Sequence, residues 1–181
     1  MTLVHSPATS EGPVEDASPA ARARTAAARV TDPEIPVISI EDLGVLRDVA
    51  VDERGRVSVT ITPTYSGCPA MNEIEADVKE ALRESGFEDV TVHLVLSPAW
   101  STDMITPRGH QALLEYGIAP PLHGAGRGPV PVSISRRPPV PACPLCGSSD
   151  TREVSRFGST SCKALHKCLS CQEPFDYFKV L

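Results

Sequence analysis

Aromatic side chains are scarce in this chain of 181 residues: four Phe, three Tyr and one Trp. A core must therefore rest on aliphatics, for which a hydrophobic content of 41% suffices. Basic charge is in deficit as well, with 17 Lys and Arg against 23 Asp and Glu, a net charge of −6. That balance excludes partners held by phosphate neutralisation, so no nucleic acid is expected, and it excludes a polybasic membrane surface. Apolar runs such as Val92 to Leu96 fall far short of the ~20 residues that span a bilayer, so no membrane partner is expected. The first residues lack a basic stretch followed by an apolar one, and a cytoplasmic location is the expectation. The GxSxG elbow, the GxGxxG fingerprint and the P-loop are all missing.

Proline and glycine, by contrast, are plentiful, and their placement divides the chain. Residues 1–17 are Ser, Pro, Gly and acid, without the apolar side chains that would offset ordering entropy, and are expected to be disordered. An Ala/Arg stretch from Ala20 to Ala28 suits a short helix and opens a domain over residues 18–119. Between Asp32 and Gly117 lie 16 acids and six bases, with clear hydrophobic periodicity. Residues 120–141 hold seven Pro and three Gly and read as a semi-rigid linker. The remaining segment, 142–181, carries five of the six cysteines.

The main domain alternates strand and helix signals. Val45 to Asp52 and Val57 to Ile61 alternate at period two about the turn Glu53-Arg54-Gly55-Arg56, which predicts a hairpin. Met71, Ile74, Val78 and Leu82 form one apolar stripe on a helix from about Pro69 to Ser85. Val90, Val92, Leu94 and Leu96 predict a third strand, with His93 on its polar alternation. Thr106-Pro107 caps a last helix that ends before Gly117. The fold class expected is α+β (α/β), a small sheet covered by helices, with an appended metal module. In the loop before the last helix, Trp100 is either an anchor or a partner contact.

That module is Cys143-Pro144-Leu145-Cys146-Gly147 paired with Cys168-Leu169-Ser170-Cys171. Two CxxC pairs complete a tetrahedral S4 site, so Cys143, Cys146, Cys168 and Cys171 are the expected ligands of a structural zinc. Four thiolates also hold an iron–sulfur cluster. A segment near 40 residues has little core of its own, so the metal serves as one, with Phe157, Phe175, Tyr177 and Phe178 expected to cover it. Cys162 is left over. It is either a buried small hydrophobe or an extra ligand close to His166.

The main domain has a single cysteine, Cys68, where the second hairpin strand gives way to the helix. With Pro69 as the first helical residue, Cys68 would be the N-cap, facing unpaired N–H groups that favour thiolate and lower the thiol pKa. Asp32, Glu34, Thr62 and Thr64 are candidate neighbours. One soft ligand among carboxylates and hydroxyls describes a transient metal site with open positions. Alternatively Asp32 and Glu34 are ordinary turn residues.

Asp32-Pro33-Glu34-Ile35-Pro36, Asp42-Leu43-Gly44 and Cys68-Pro69 together resemble the small domain of SufT-like iron–sulfur assembly factors. The tail from Phe157 to Lys179, with Cys143-Pro144-Leu145-Cys146-Gly147 before it, resembles the zinc ribbon of the PaaD (PaaJ) family, as do Trp100 to Asp103 and Tyr116 to Pro121. That resemblance implies an accessory protein of the phenylacetyl-CoA oxygenase (ring 1,2-epoxidase) in aerobic phenylacetate catabolism. It implies transient iron or an iron–sulfur cluster as cargo, carried at Asp32, Glu34, Thr62, Thr64 and Cys68. It implies oxygenase or reductase components and iron–sulfur assembly proteins as partners. Such a factor is not itself catalytic. A thiol-dependent transferase or redox enzyme using Cys68, and a purely structural subunit of the oxygenase, are the competing readings.

Overall fold

The computed structural model describes residues 18–122 and 140–180. The N-terminal tail and most of the Pro-rich linker, residues 123–139, lie outside the described residues. Helix α1, Pro19–Ala28, starts at Ser18, whose hydroxyl accepts from the Ala21 amide, with Pro19 in the first turn. It buries Ala23, Ala26 and Ala27, and these small side chains let it lie close on the sheet.

A two-stranded ribbon follows, β1 (Thr31–Asp32) and β2 (Ile35–Ser39), which the hydrophobic pattern did not announce. The predicted hairpin is β3 (Leu46–Val51) antiparallel to β4 (Val57–Ile61). Helix α2, Met71–Glu84, buries the expected stripe of Met71, Ile74, Val78 and Leu82. It returns the chain to β5 (Val90–Leu94), which pairs with β4 in parallel, a geometry that requires such a crossover. Strand β5 is an edge and only half covered. Leu94 is 54% and Leu96 61% exposed, and Leu96 lies beyond the strand. Helix α3, Pro107–Glu115, is capped by Thr106, whose hydroxyl accepts from the Gly109 amide at 3.0 Å.

The next strand links the two halves of the chain. β6 (Ile118–Ala119) joins a four-stranded sheet with β7 (Thr151–Ser155), β8 (Lys163–Cys168) and β9 (Pro174–Phe178), in the order β6-β9-β8-β7. Ile118 and Ala119 pair in parallel with Asp176 and Tyr177. The cysteine-rich module is thus hydrogen-bonded to the main domain. It also shares its core, because Phe178 and Cys162 are buried in the same cluster as Ile38, Leu43 and Leu113. Trp100 is the anchor of its loop: its indole N–H donates to the Leu43 carbonyl at 2.9 Å, and its ring meets Phe178 at 6.0 Å.

Asp42-Leu43-Gly44 holds these parts in register. Leu43 is buried, and the Asp42 carboxylate accepts from Ser39, Thr106 and Arg108. Gly44 has φ of 76°, and a Cβ there would stand 2.6 Å from Met104 Cβ and 2.7 Å from the Met104 carbonyl oxygen. Gly55 has a similar φ of 78° with open space around it. In urea denaturation, Gly44→Ala should therefore cost about 2–4 kcal/mol, summing backbone strain and overpacking. Gly55→Ala should cost about 1–2 kcal/mol from the backbone alone. Equal losses would mean that the close approach to Met104 contributes nothing.

Candidate metal centre and thiol site

Two turns of the same build carry the four cysteines of the expected metal site. In the first, the Cys143 amide donates to the Ser148 carbonyl at 2.9 Å; in the second, the Cys168 amide donates to the Glu173 carbonyl at 3.0 Å. The fifth residue of each turn has a left-handed backbone, Gly147 with φ of 74° and Gln172 with φ of 68°. Ser148 and Ser170 hydroxyls link the turns at 2.7 Å.

The sulfurs of Cys143, Cys146, Cys168 and Cys171 all lie within 4.8 Å of one another. Cys143 and Cys171 are 3.8 Å apart and Cys146 and Cys168 3.6 Å. A tetrahedral ion with metal–sulfur bonds of about 2.3 Å separates its sulfurs by about 3.8 Å, so the donor set fits. The thiols themselves respond unequally. The Cys171 and Ser170 amides draw Cys168 down to about 6. Against the pull of the Glu173 amide, burial and the sulfurs of Cys168, Cys146 and Cys143 push Cys171 up to about 12. Four sulfurs this close become thiolates together only around a cation.

Cys162 and His166 stand apart from this group. His166 is buried between Phe175 and Tyr177, with ring centroids at 5.7 and 5.3 Å, and both ring nitrogens lack a hydrogen-bond partner. Burial lowers its pKa and keeps it neutral. Of the four aromatics expected over the metal, only Phe175 and Tyr177 pack with the cysteines. Phe178 faces the main core instead, and Phe157 is 68% exposed under Lys179 Nζ. A β-strand sends neighbouring side chains to opposite faces, so Tyr177 and Phe178 could not both cover one site.

The second thiol site lies at the C-terminal end of β4, where parallel-paired strands commonly present their loops to ligands. Cys68 is half-buried there, but it is not the N-cap. Helix α2 begins at Met71 with Ala70 as its cap, and Cys68 sits in the preceding turn, its amide donating to the Tyr65 carbonyl at 3.3 Å. The expected lowering of its pKa is reversed: burial pushes the thiol up, Glu34 and Asp32 add to this, and the Ala70 amide and Tyr65 oppose it. Desolvation and two carboxylates outweigh one amide dipole.

Asp32 is buried at 6% exposure, and its Oδ1 accepts from the Glu34 and Ile35 amides at 2.8 and 2.9 Å. It is a turn residue by bonding, yet the turn brings the acidic pair within electrostatic reach of Cys68. Burial raises both carboxyl groups; at Asp32 the Glu34 and Ile35 amides and then Lys163 oppose this, and at Glu34 the Asp32 charge adds to it while Lys163 opposes. Thr62 is buried with its hydroxyl unpartnered, and Thr64 is half-buried in the loop toward Cys68. His93 is exposed on β5, as its place in the alternation suggested.

Sequence reasoning assigned no role to Tyr65, and it left Cys162 either a buried small hydrophobe or an extra ligand. Burial raises the pKa of the Tyr65 hydroxyl, with Ser161 opposing and the charges of Cys68 and Glu34 adding to it. Cys162 is buried, its sulfur 3.0 Å from the Thr160 hydroxyl, within range of the charges of Glu34, Lys163 and Asp32. Some 94 positions separate Cys68 from Cys162 in the chain, and no local pattern relates them.

Comparison with known proteins agrees with this two-part build. The model for an iron-sulfur cluster assembly protein matches residues 21–94, and that for the PaaD zinc beta ribbon domain matches residues 127–179. The chain is 48% identical over 153 residues to a 1,2-phenylacetyl-CoA epoxidase component of Escherichia coli (strain K12), covering 84% of this chain and 88% of that one. The chain belongs to the PaaD family. Its first domain extends that likeness beyond PaaD: the Fe-S protein maturation auxiliary factor SufT of Staphylococcus aureus (strain USA300) is 40% identical over 78 residues, 42% of this chain and 88% of that protein. The crystal structure of a DUF59 domain from Bacillus anthracis superposes with a TM-score of 0.50 at 30% identity, covering 53% of this chain and 92% of the other. Among the described residues, no helix is long and apolar enough to cross a membrane.

Because Cys68 is held above the ordinary thiol value, its alkylation by iodoacetamide should be slow at neutral pH and accelerate only on the alkaline side. Glu34→Gln removes the leading negative charge, so it should lower that midpoint and speed reaction at pH 8. Peptide mapping of the labelled chain measures both. A midpoint unmoved by Glu34→Gln would separate the carboxylate from the thiol.

Proposed function

We propose that this chain is an accessory maturation factor of the phenylacetyl-CoA oxygenase (ring 1,2-epoxidase) in aerobic phenylacetate catabolism. Its cargo is iron or an iron–sulfur cluster, bound transiently at Cys68 beside Asp32 and Glu34 and delivered to an oxygenase-system component such as the reductase. The observation that carries this reading is the half-buried Cys68 thiol close to two desolvated carboxyl groups whose pKa values are raised. Such a set gains by receiving a cation, and its incomplete ligation allows release. Membership of the PaaD family and the match to iron–sulfur assembly proteins support the same cargo.

The ribbon holds zinc at Cys143, Cys146, Cys168 and Cys171, a closed site of structural type. Zinc there supplies folding energy, on the order of 10–16 kcal/mol in small peptides. The protein's work belongs in the cytoplasm, where a reducing poise keeps its cysteines out of disulfides. A thiol enzyme reading is weakened by the raised Cys68, since a nucleophile needs thiolate near neutral pH.

Anaerobic reconstitution with ferrous iron and sulfide should give zinc-loaded protein an added visible chromophore. Cys68→Ser should lose it while keeping zinc near one per chain. Equal cluster occupancy of the recipient with wild-type or Cys68→Ser protein would defeat the carrier role. Stripping the zinc should unseat Phe178 from Trp100, the sole tryptophan, and shift its fluorescence to the red. An unshifted spectrum would mean that the ribbon docks without metal.

A further inference from the structure

The outer edge of β5 is open. The Val57 amide donates to the Asp89 carbonyl at 2.8 Å, and the Val95 amide donates to the Ile61 carbonyl at 2.9 Å. These two bonds fix which way the strand faces. Backbone groups of its odd-numbered residues turn toward β4, and those of Val90, Val92 and Leu94 turn away from it. Among the described residues, no strand pairs with that outer side. Edges of this kind are commonly protected by charged side chains, proline or a bulge. Here the register with β4 is unbroken, and Val90 to Ser97 contains no Asp, Glu, Lys, Arg or Pro. Leu94 and Leu96 are exposed as well, and Leu94 stands opposite Ile61, the last residue of β4. The chain passes from Ile61 straight into the segment that carries Cys68, which leaves the sheet at this same end.

The charge around this neutral strip is mostly of one sign. Glu88 and Asp89 lead into β5 and are exposed. Arg56, in the same hollow as Asp89, is already paired with Asp52 at 2.7 Å. Helix α2, which packs against β5, carries five acids to two bases. A second copy joined edge to edge would set two such helices side by side on one face, acid against acid, which disfavours self-pairing. We propose that the β5 edge is the docking strip for the recipient of the cargo, which adds an extended segment antiparallel to β5. That segment has apolar side chains at alternate positions and Lys or Arg after them. Backbone hydrogen bonds to Val90, Val92 and Leu94 hold it, and its apolar side chains cover Leu94 and Leu96. Its basic end lies beside Glu88 and Asp89. The inference rests on the reading of Cys68 as the carrier, and it adds where and by what chemistry the recipient is held.

The test uses the full, zinc-loaded, isotope-labelled chain and two synthetic peptides of equal length. Both alternate Val and Thr; one ends in Lys residues and the other in Glu residues. Followed by amide NMR, the Lys peptide should shift the amides of Val90, Val92 and Leu94. It should bind about 10-fold tighter than the Glu peptide at low salt, and high salt should erase that preference. Leu94→Lys places a charge on the edge at an exposed position, and should weaken Lys-peptide binding by about 10-fold or more with the fold intact. Shifts confined to other surfaces, or equal binding of the two peptides, would overturn the proposal. Edge amides that shift with protein concentration alone would overturn it in favour of a second copy. Leu94→Lys should also gain the iron–sulfur chromophore as wild type does, yet deliver it to the purified reductase about 10-fold more slowly. Delivery at the wild-type rate would overturn the docking strip and leave the carrier standing, whereas a wild-type chain that gains no chromophore would sink the carrier itself.

Discussion

The docking of the ribbon on the first domain is the constraint from which the rest follows. Phe178 lies against Trp100, Trp100 is tied to the Leu43 carbonyl, and β6 pairs with β9. A small metal module cannot bury much surface within itself, so its last strand contributes its large apolar residue to a neighbour's core. Strands β8 and β9 pair from Lys163 with Phe178 to Lys167 with Pro174, and Cys162, just before β8, is buried in the same shared core.

The two sulfur sites differ in kind. The four-cysteine group is preorganised: its sulfurs already stand at the spacing of a tetrahedral ion, and turns of matching build hold them there. Around Cys68 the groups are more loosely arranged and mixed in chemistry, with burial raising the thiols of Cys68 and Cys162 and the carboxyls of Asp32 and Glu34. A closed set of four thiolates favours permanence, whereas a partial set under electrostatic stress favours exchange.

Periodic elements were legible in the chain. The hairpin of β3 and β4, the four-residue stripe of α2 and the Thr106 cap of α3 are local patterns, and local sterics and burial decide them. Short or mixed elements were not. β1 and β6 have two residues each, too few to show a period, and the parallel pairing of β4 with β5 is a long-range choice. Cys68 illustrates how a local rule gives way. Its position before a helix suggested thiolate, but the helix starts three residues later, and burial together with two carboxylates delivered by the β1–β2 turn dominates its electrostatics.

The order of residues alone determined the paired CxxC turns whose sulfurs cluster and the principal helices, because spacing within a few positions carries that information. Only the tertiary structure decided that the ribbon pairs with β6 and that Cys162 is buried in the main core. It also decided that Phe178 serves the main core and not the metal. Contacts between residues so distant in sequence arise from how surfaces bury one another, and no short motif encodes that outcome.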